Sequence, residues 1–280
     1  MRTVFMGTPE FAVPVLAALP GVVAVYTKEP KPSGRGRSLV PSPVAVHAAS
    51  RGIPVFTPES FRKDPDAVST LASINPDLIV VFAYGLMLPQ QVLDMAPCVC
   101  VHPSLLPLYR GPNPIRRAVM NGDERTGVSL ILMDAGMDSG DILAQRATDI
   151  MQDETAGELA FRLAEIGCEM VLEYIARPSK PAKQQGDFTL APKFGPDEEQ
   201  IDLSRPAKEV HDKIRAMNPE PGARLGNGVK ILRSELADTD DGKGLILKCN
   251  PGFVRVLELQ KPGGRPVSAR DFLNGRGRLA

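Results

Sequence analysis

Two short segments carry the residues best suited to moving a proton. His102 ends the apolar run Val99-Cys100-Val101-His102 and opens the loop-like stretch Pro103-Ser104-Leu105-Leu106-Pro107-Leu108-Tyr109-Arg110-Gly111. Asp138 stands in Met137-Asp138-Ser139-Gly140, with Gly136 and Gly140 on either side. An imidazole titrates near neutrality, and a carboxylate that holds it lets it take a proton from a reacting group or return one. Each residue alone has a plainer reading, His102 as a loop residue and Asp138 as a turn former. Cys100 adds a thiol that could act as a nucleophile beside His102. Cys98, Cys100 and His102 also resemble metal-ligand spacing. No second ligand cluster accompanies them, and residues two apart on a strand share a face through packing alone, so no metal is expected.

The surrounding pattern supplies the elements that must position these groups. Thr3–Met6, Val22–Thr27, Val55–Phe56, Leu78–Ala83, Val99–Val101 and Val128–Met133 are short apolar runs of the kind that form strands covered on both faces. Between them Glu10–Leu19, Ser42–Arg51, Asp66–Ile74 and Pro89–Met95 read as helices, with Thr8 as N-cap and Pro9 at the first helical position. This alternation predicts a Rossmann-like α/β domain with a mostly parallel, doubly wound sheet. Ligands of such sheets bind beyond the carboxyl ends of the strands, where His102 falls. Ala156–Ile175 reads as a long helix stopped by Pro178-Ser179-Lys180-Pro181. After a Pro- and Gly-rich linker, Pro206–Met217 reads as an amphipathic helix, and the remainder alternates as half-exposed strands do. The expected division is 1–189 for the α/β domain, 190–205 for the linker and 206–280 for a small β domain. His47 and His211 fall on predicted helices and are read as surface residues.

Composition narrows the class. In 280 residues with 43% hydrophobic content there is material for a sizeable core. No run approaches the ~18 apolar residues of a membrane span. The four cysteines lie mostly in apolar stretches, as reduced thiols do, so a soluble cytoplasmic protein is expected. The net charge of zero conceals an asymmetry. Residues 206–280 carry 14 Lys and Arg against 9 Asp and Glu, and the first 205 residues carry 19 against 24. A basic C-terminal part favours a polyanionic partner. The segment Lys28–Arg37, with Lys28, Lys31, Arg35 and Arg37 set among Gly and Pro, reads as a mobile basic loop that can reach phosphates.

Several blocks together resemble the methionyl-tRNA formyltransferase family: Phe5-Met6-Gly7-Thr8-Pro9-Glu10-Phe11-Ala12-Val13-Pro14, Ala83-Tyr84-Gly85, Ser104 to Gly111, and Met133 to Asp141. Leu190-Ala191-Pro192-Lys193, Ile201-Asp202 and Pro30 to Arg37 extend the resemblance over essentially the whole chain. It implies transfer of a formyl group from 10-formyltetrahydrofolate to the amino group of methionyl-initiator tRNA, with no metal, by a monomer. It further implies that His102 and Asp138 are catalytic, and that Tyr84, Gly85 and Leu86 with Ser104, Leu105, Leu106 and Pro107 hold the folate. Lys31, Arg35 and Arg37 would grip the tRNA. The C-terminal part would be a small β-barrel of the oligonucleotide-binding type, with Lys208, Lys213, Arg215, Arg224, Lys230, Arg233, Lys248 and Arg255 as candidates for its basic face. Against the family pattern, the Leu236–Gly244 region is short, the chain ends without the usual tail, and it has no tryptophan.

One position departs from the pattern at the chemistry itself. Cys100 stands where the family has an asparagine, whose amide is a well-aimed donor while a thiol is a weak one. Three readings follow: a variant of reduced activity, compensation by another donor, or a thiol nucleophile. The alternatives to the tRNA substrate are a sugar-nucleotide N-formyltransferase and a catalytically weak protein that binds folate or tRNA.

Overall fold

The computed structural model describes residues 1–33, 38–240 and 244–275. In chain order the elements are β1 (Thr3–Gly7), α1 (Val13–Ala18), β2 (Val22–Tyr26), β3 (Lys31–Ser33), β4 (Ser38–Val40), α2 (Pro43–Ser50), β5 (Val55–Phe56), α3 (Pro65–Ile74), β6 (Leu78–Phe82), α4 (Gln90–Leu93) and β7 (Cys98–His102). There follow α5 (Pro114–Met120), β8 (Arg125–Leu132), β9 (Asp141–Asp149), α6 (Ala156–Ala176), α7 (Ala207–Ala216), β10 (Ala223–Arg224), β11 (Lys230–Ala237), β12 (Leu245–Lys248), β13 (Phe253–Gln260), β14 (Pro266–Ser268) and α8 (Ala269–Asn274).

The chain divides into two compact units. The first comprises residues 1–112, 127–147 and 161–190, and the second 113–126, 148–160 and 191–280. The second thus takes in α5 and the segment before α6, which a boundary drawn along the sequence at residue 190 does not anticipate. Packing, not chain order, decides which neighbours a helix keeps.

The first unit is built on a seven-stranded sheet of order β5-β2-β1-β6-β7-β8-β9. Strands β1, β2, β5, β6 and β7 pair in parallel. Every residue of β1, β6 and β7 is buried, as their unbroken apolar sequences require. Strand β8 departs from the doubly wound expectation, because it runs antiparallel to β7 with His102 opposite Ser129 and Val99 opposite Leu132. Strand β9 was not foreseen, since Asp141–Asp149 has polar residues at most positions and only one of its nine residues is buried. At the N-terminus Thr8 does not cap a helix. A 3-10 turn at Glu10–Ala12 precedes α1, and the Thr8 hydroxyl donates to the Tyr84 carbonyl instead. The expected basic loop is in part a ribbon, with β3 and β4 pairing antiparallel from Lys31 opposite Val40 to Ser33 opposite Ser38.

In the second unit β10, β11, β13 and β12 form an antiparallel sheet to which β14 adds by pairing with β13. Its core gathers Val210, Ile214 and Met217 around α7 with Ile231, Val254, Val256 and Leu259 from the strands. Among the described residues no ladder joins β10 to β12, so the strands form an open sheet where a small barrel was expected.

Two residues read as surface groups are interior here. His211 is 2% exposed: its Nδ1 lies 2.9 Å from the Ser234 hydroxyl, and its Nε2 lies 3.2 Å from both the Gln152 carbonyl and the Asp153 carboxylate. Because Nε2 faces acceptors alone, it carries the proton and Nδ1 accepts from Ser234. Arg215, 6% exposed, pairs with Asp212 and donates to the Met151 and Glu154 carbonyls, which removes it from any basic face. Helical periodicity missed both because α7 is covered by the 151–154 turn as well as by the sheet.

Burial lowers the His211 pKa below its ordinary 6.5, outweighing the Gln152 and Asp153 acceptors. A lowered folded value means that the unfolded chain binds the proton more readily. The stabilising contribution is therefore complete above about 6.5 and is lost as pH falls towards the folded value. The parent protein is expected to lose more stability between pH 7 and pH 5 than His211→Gln does, measured by equilibrium urea unfolding. Parallel losses in the two proteins would show that this histidine does not couple to folding.

Candidate active site

Strand β7 delivers Cys100 and His102 to one face of the sheet, since side chains two apart on a strand point the same way. His102 is 4% exposed. Its Nε2 lies 3.0 Å from the Tyr109 carbonyl, and its Nδ1 lies 3.6 Å from Asp138 Oδ1. Both ring nitrogens thus face acceptor oxygens. A proton on Nε2 satisfies Tyr109, which leaves Nδ1 to take up and release a second proton beside the carboxylate. Burial lowers the His102 pKa and is the largest influence, while Asp138 and the Tyr109 carbonyl work in the opposite direction.

Asp138 does not reach His102 by sharing the carboxyl edge of a parallel sheet. Antiparallel β8 ends beside the start of β7, where Met133 N–H donates to the Cys98 carbonyl. The 133–140 connection then brings the carboxylate back to the histidine. Gly140 permits this return, because a Cβ there would lie 2.0 Å from the Leu132 carbonyl oxygen. Asp138 itself is in the left-handed region at φ 52°, an uncommon conformation for a non-glycine residue. Its Oδ2 accepts from Gly111 N–H at 2.7 Å, and Gly111 has φ 123°, which glycine alone adopts readily.

Cys100 is buried, and burial together with the neighbouring Asp138 charge pushes its thiol pKa strongly upward. A thiol held protonated is a poor nucleophile, so the structure speaks against the covalent reading. Among the described residues no group of three or more His, Cys, Asp or Glu side chains is placed to hold a metal ion.

The Ser104–Pro107 segment is fixed from below. The Ser129 hydroxyl donates to the Ser104 carbonyl at 2.7 Å and accepts from Leu106 N–H at 2.9 Å, while Gln145 donates to both Ser129 and the Leu106 carbonyl. The Ser104 hydroxyl donates to the Leu108 carbonyl. Ser104 and Leu106 are therefore buried supports, with Leu105 and Pro107 half-buried between them. Ser129 is fully buried. Ser129→Ala leaves the Leu106 N–H without its acceptor and is expected to cost about 1–3 kcal/mol of stability, read from urea unfolding. A change below about 0.5 kcal/mol would mean that the loop finds another anchor.

Tyr84 is buried against Phe61, and its hydroxyl has no hydrogen-bond partner among the described residues. What it presents outward is backbone. Left-handed Ala83 and Gly85 lie exposed at the end of β6, and Leu86 is half-buried. Lys31 is exposed on β3, whereas Arg35 and Arg37 lie outside the described residues. Of the C-terminal cations, Arg224, Arg233 and Arg255 pair with Glu199, Glu158 and Glu235.

Sequence reading missed the groups that brace the site. Gln184 binds the Asp138 and Gly140 carbonyls and the Arg110 guanidinium, yet it lies in a Pro-, Gly- and charge-rich stretch without periodicity. Ser129 is an isolated hydroxyl in an apolar strand. A lone polar residue inside a buried run was the one available signal.

A buried histidine held beside a half-buried carboxylate at the end of a strand is suited to move the proton of a group-transfer reaction, and comparison with known families specifies the group. Residues 2–175 match the family described as formyl transferase, and residues 193–277 match the formyl transferase C-terminal domain. A methionyl-tRNA formyltransferase of Paracoccus denitrificans is 44% identical over 292 residues, covering 98% of this chain and 97% of that protein. The chain belongs to the methionyl-tRNA formyltransferase family. Among solved structures, HypX from Aquifex aeolicus in complex with tetrahydrofolic acid superposes with a TM-score of 0.68 at 20% identity, covering 98% of this chain. This chain spans about half of that longer protein, 47% of its length. A methionyl-tRNA formyltransferase from Clostridium thermocellum gives a TM-score of 0.64 at 21% identity, covering 85% of this chain and 94% of that one. At these identities the structural likenesses establish the fold.

Proposed function

We propose that this protein transfers the formyl group of 10-formyltetrahydrofolate to the amino group of methionyl-initiator tRNA, acting as a cytoplasmic monomer. The observation that carries the reading is the His102–Asp138 pair, set in a chain that follows a methionyl-tRNA formyltransferase almost end to end. No helix among the described residues is long and apolar enough to cross a membrane.

The amine attacks the formyl carbon and the carbonyl oxygen gathers negative charge. The intermediate then collapses by breaking the formyl carbon–N10 bond, so the amine loses one proton and the departing tetrahydrofolate nitrogen gains one. His102 Nδ1 is the base for the amine proton, and the Asp138 carboxylate stabilises the resulting imidazolium. The Tyr109 carbonyl keeps the ring from turning away. Amide-rich pterin groups find backbone partners at Ala83, Gly85 and Leu86, with Leu105 and Pro107 forming the half-buried wall. Lys31, with Arg35 and Arg37, supplies phosphate contacts for the tRNA acceptor end, whose affinity then falls as salt rises.

The test is turnover with 10-formyltetrahydrofolate and either charged initiator tRNA or a nucleotide-linked amino sugar as acceptor. Formylated aminoacyl-tRNA supports the proposal. Product with the sugar alone assigns the chain to sugar formylation. Ligand binding without product from either acceptor would identify a binding homologue.

A further inference from the structure

The Gln184 amide has all four of its hydrogen-bonding positions filled. Its Nε2 donates to the Asp138 carbonyl and to the Gly140 carbonyl, both at 2.8 Å. Its Oε1 accepts from Arg110 Nε at 3.1 Å and Nη2 at 2.6 Å. This assignment is unique. Turning the amide over would face its NH2 to a guanidinium and its oxygen to two carbonyls. The two ends of the amide grip different parts of the site. One holds the main chain of Asp138 in its left-handed conformation. The other holds Arg110, which stands between Tyr109, whose carbonyl contacts His102, and Gly111, whose N–H contacts the Asp138 carboxylate. Arg110 is steadied in turn by the Phe188 ring, 4.9 Å from its guanidinium carbon, and by Thr189, whose carbonyl accepts from Arg110 N–H.

We infer that Gln184 is a positioning residue for the His102–Asp138 pair, setting the separation of the imidazole and the carboxylate by clamping the 138–140 backbone to the 109–111 loop. The inference rests on the proposed formyl-transfer reading for its kinetic consequence, but not for its geometry.

A double-mutant cycle of Gln184→Ala with Asp138→Asn tests it. One readout is the pH titration of the His102 ring by NMR, in a chain with three histidines. The groups facing that ring are the Asp138 carboxylate, the Tyr109 carbonyl and, from its own strand, the neutral Cys100 thiol. If Gln184 holds the carboxylate in place, Gln184→Ala lowers the His102 midpoint, as Asp138→Asn does, and adds nothing in the Asp138→Asn background. The second readout is formyl transfer to charged initiator tRNA. There kcat falls on the order of 10- to 100-fold with KM unchanged, again without further loss in the double variant. Gln184→Met keeps the side-chain volume without the amide and serves if the alanine variant unfolds. An unchanged His102 midpoint, or losses that simply multiply in the double variant, would overturn the inference. Because the titration needs no turnover, an inactive parent protein would count against the proposed reaction and leave the positioning role to be decided by the NMR cycle.

Discussion

Replacing His102 by alanine is expected to lower kcat for formyl transfer by about 10²–10⁴ while tRNA and folate binding are retained. The argument is positional. His102 Nδ1 lies 3.6 Å from Asp138, Nε2 is fixed by Tyr109, and no other histidine lies within two residues of the catalytic loops. Burial lowers the His102 pKa below 6.5 as the largest influence. The ring is therefore neutral, and able to accept the amine proton, at and above neutral pH. Activity should fall as pH drops through that lowered value. Asp138→Asn removes the charge that raises it, so the acidic limb of the pH–rate profile should move to still lower pH as kcat declines. Single-turnover assays at saturating substrates across pH 5 to 9 measure both effects. Retention of more than a tenth of parental kcat in His102→Ala would remove the histidine from the chemistry.

The second large effect concerns Cys100. Changing it to asparagine is expected to raise kcat by about 10²–10³, the usual worth of one well-aimed donor at a developing oxyanion. Position 100 shares the sheet face of His102 and lies close enough to Asp138 to feel its charge. The thiol there stays protonated and donates weakly. Cys100→Ala should consequently differ little from the parent, since almost no donor strength is removed. A covalent role for the thiol makes the opposite forecast, with alanine as damaging as His102→Ala and asparagine slower than cysteine. Equal rates for cysteine, alanine and asparagine would show that another group already supplies the donor.

The sequence by itself determined the unbroken apolar runs of β1, β6 and β7. A strand covered on both faces tolerates little else, so the parallel half of the sheet was legible. It also singled out His102 and Asp138 as candidates, because a histidine closing such a run and a carboxylate among glycines are local patterns, while their catalytic reading came from the family resemblance. The tertiary structure decided what local patterns do not encode. Strand β8 runs antiparallel, and so Asp138 must return through a loop that only Gly140 allows. The 151–154 turn covers α7, which buries His211 and Arg215 where helical periodicity leaves them exposed. Gln184 meets Asp138 from 46 residues away. Hydrogen bonds between such distant segments depend on where packing brings the backbone, and sequence periodicity records only which face a residue turns to the core.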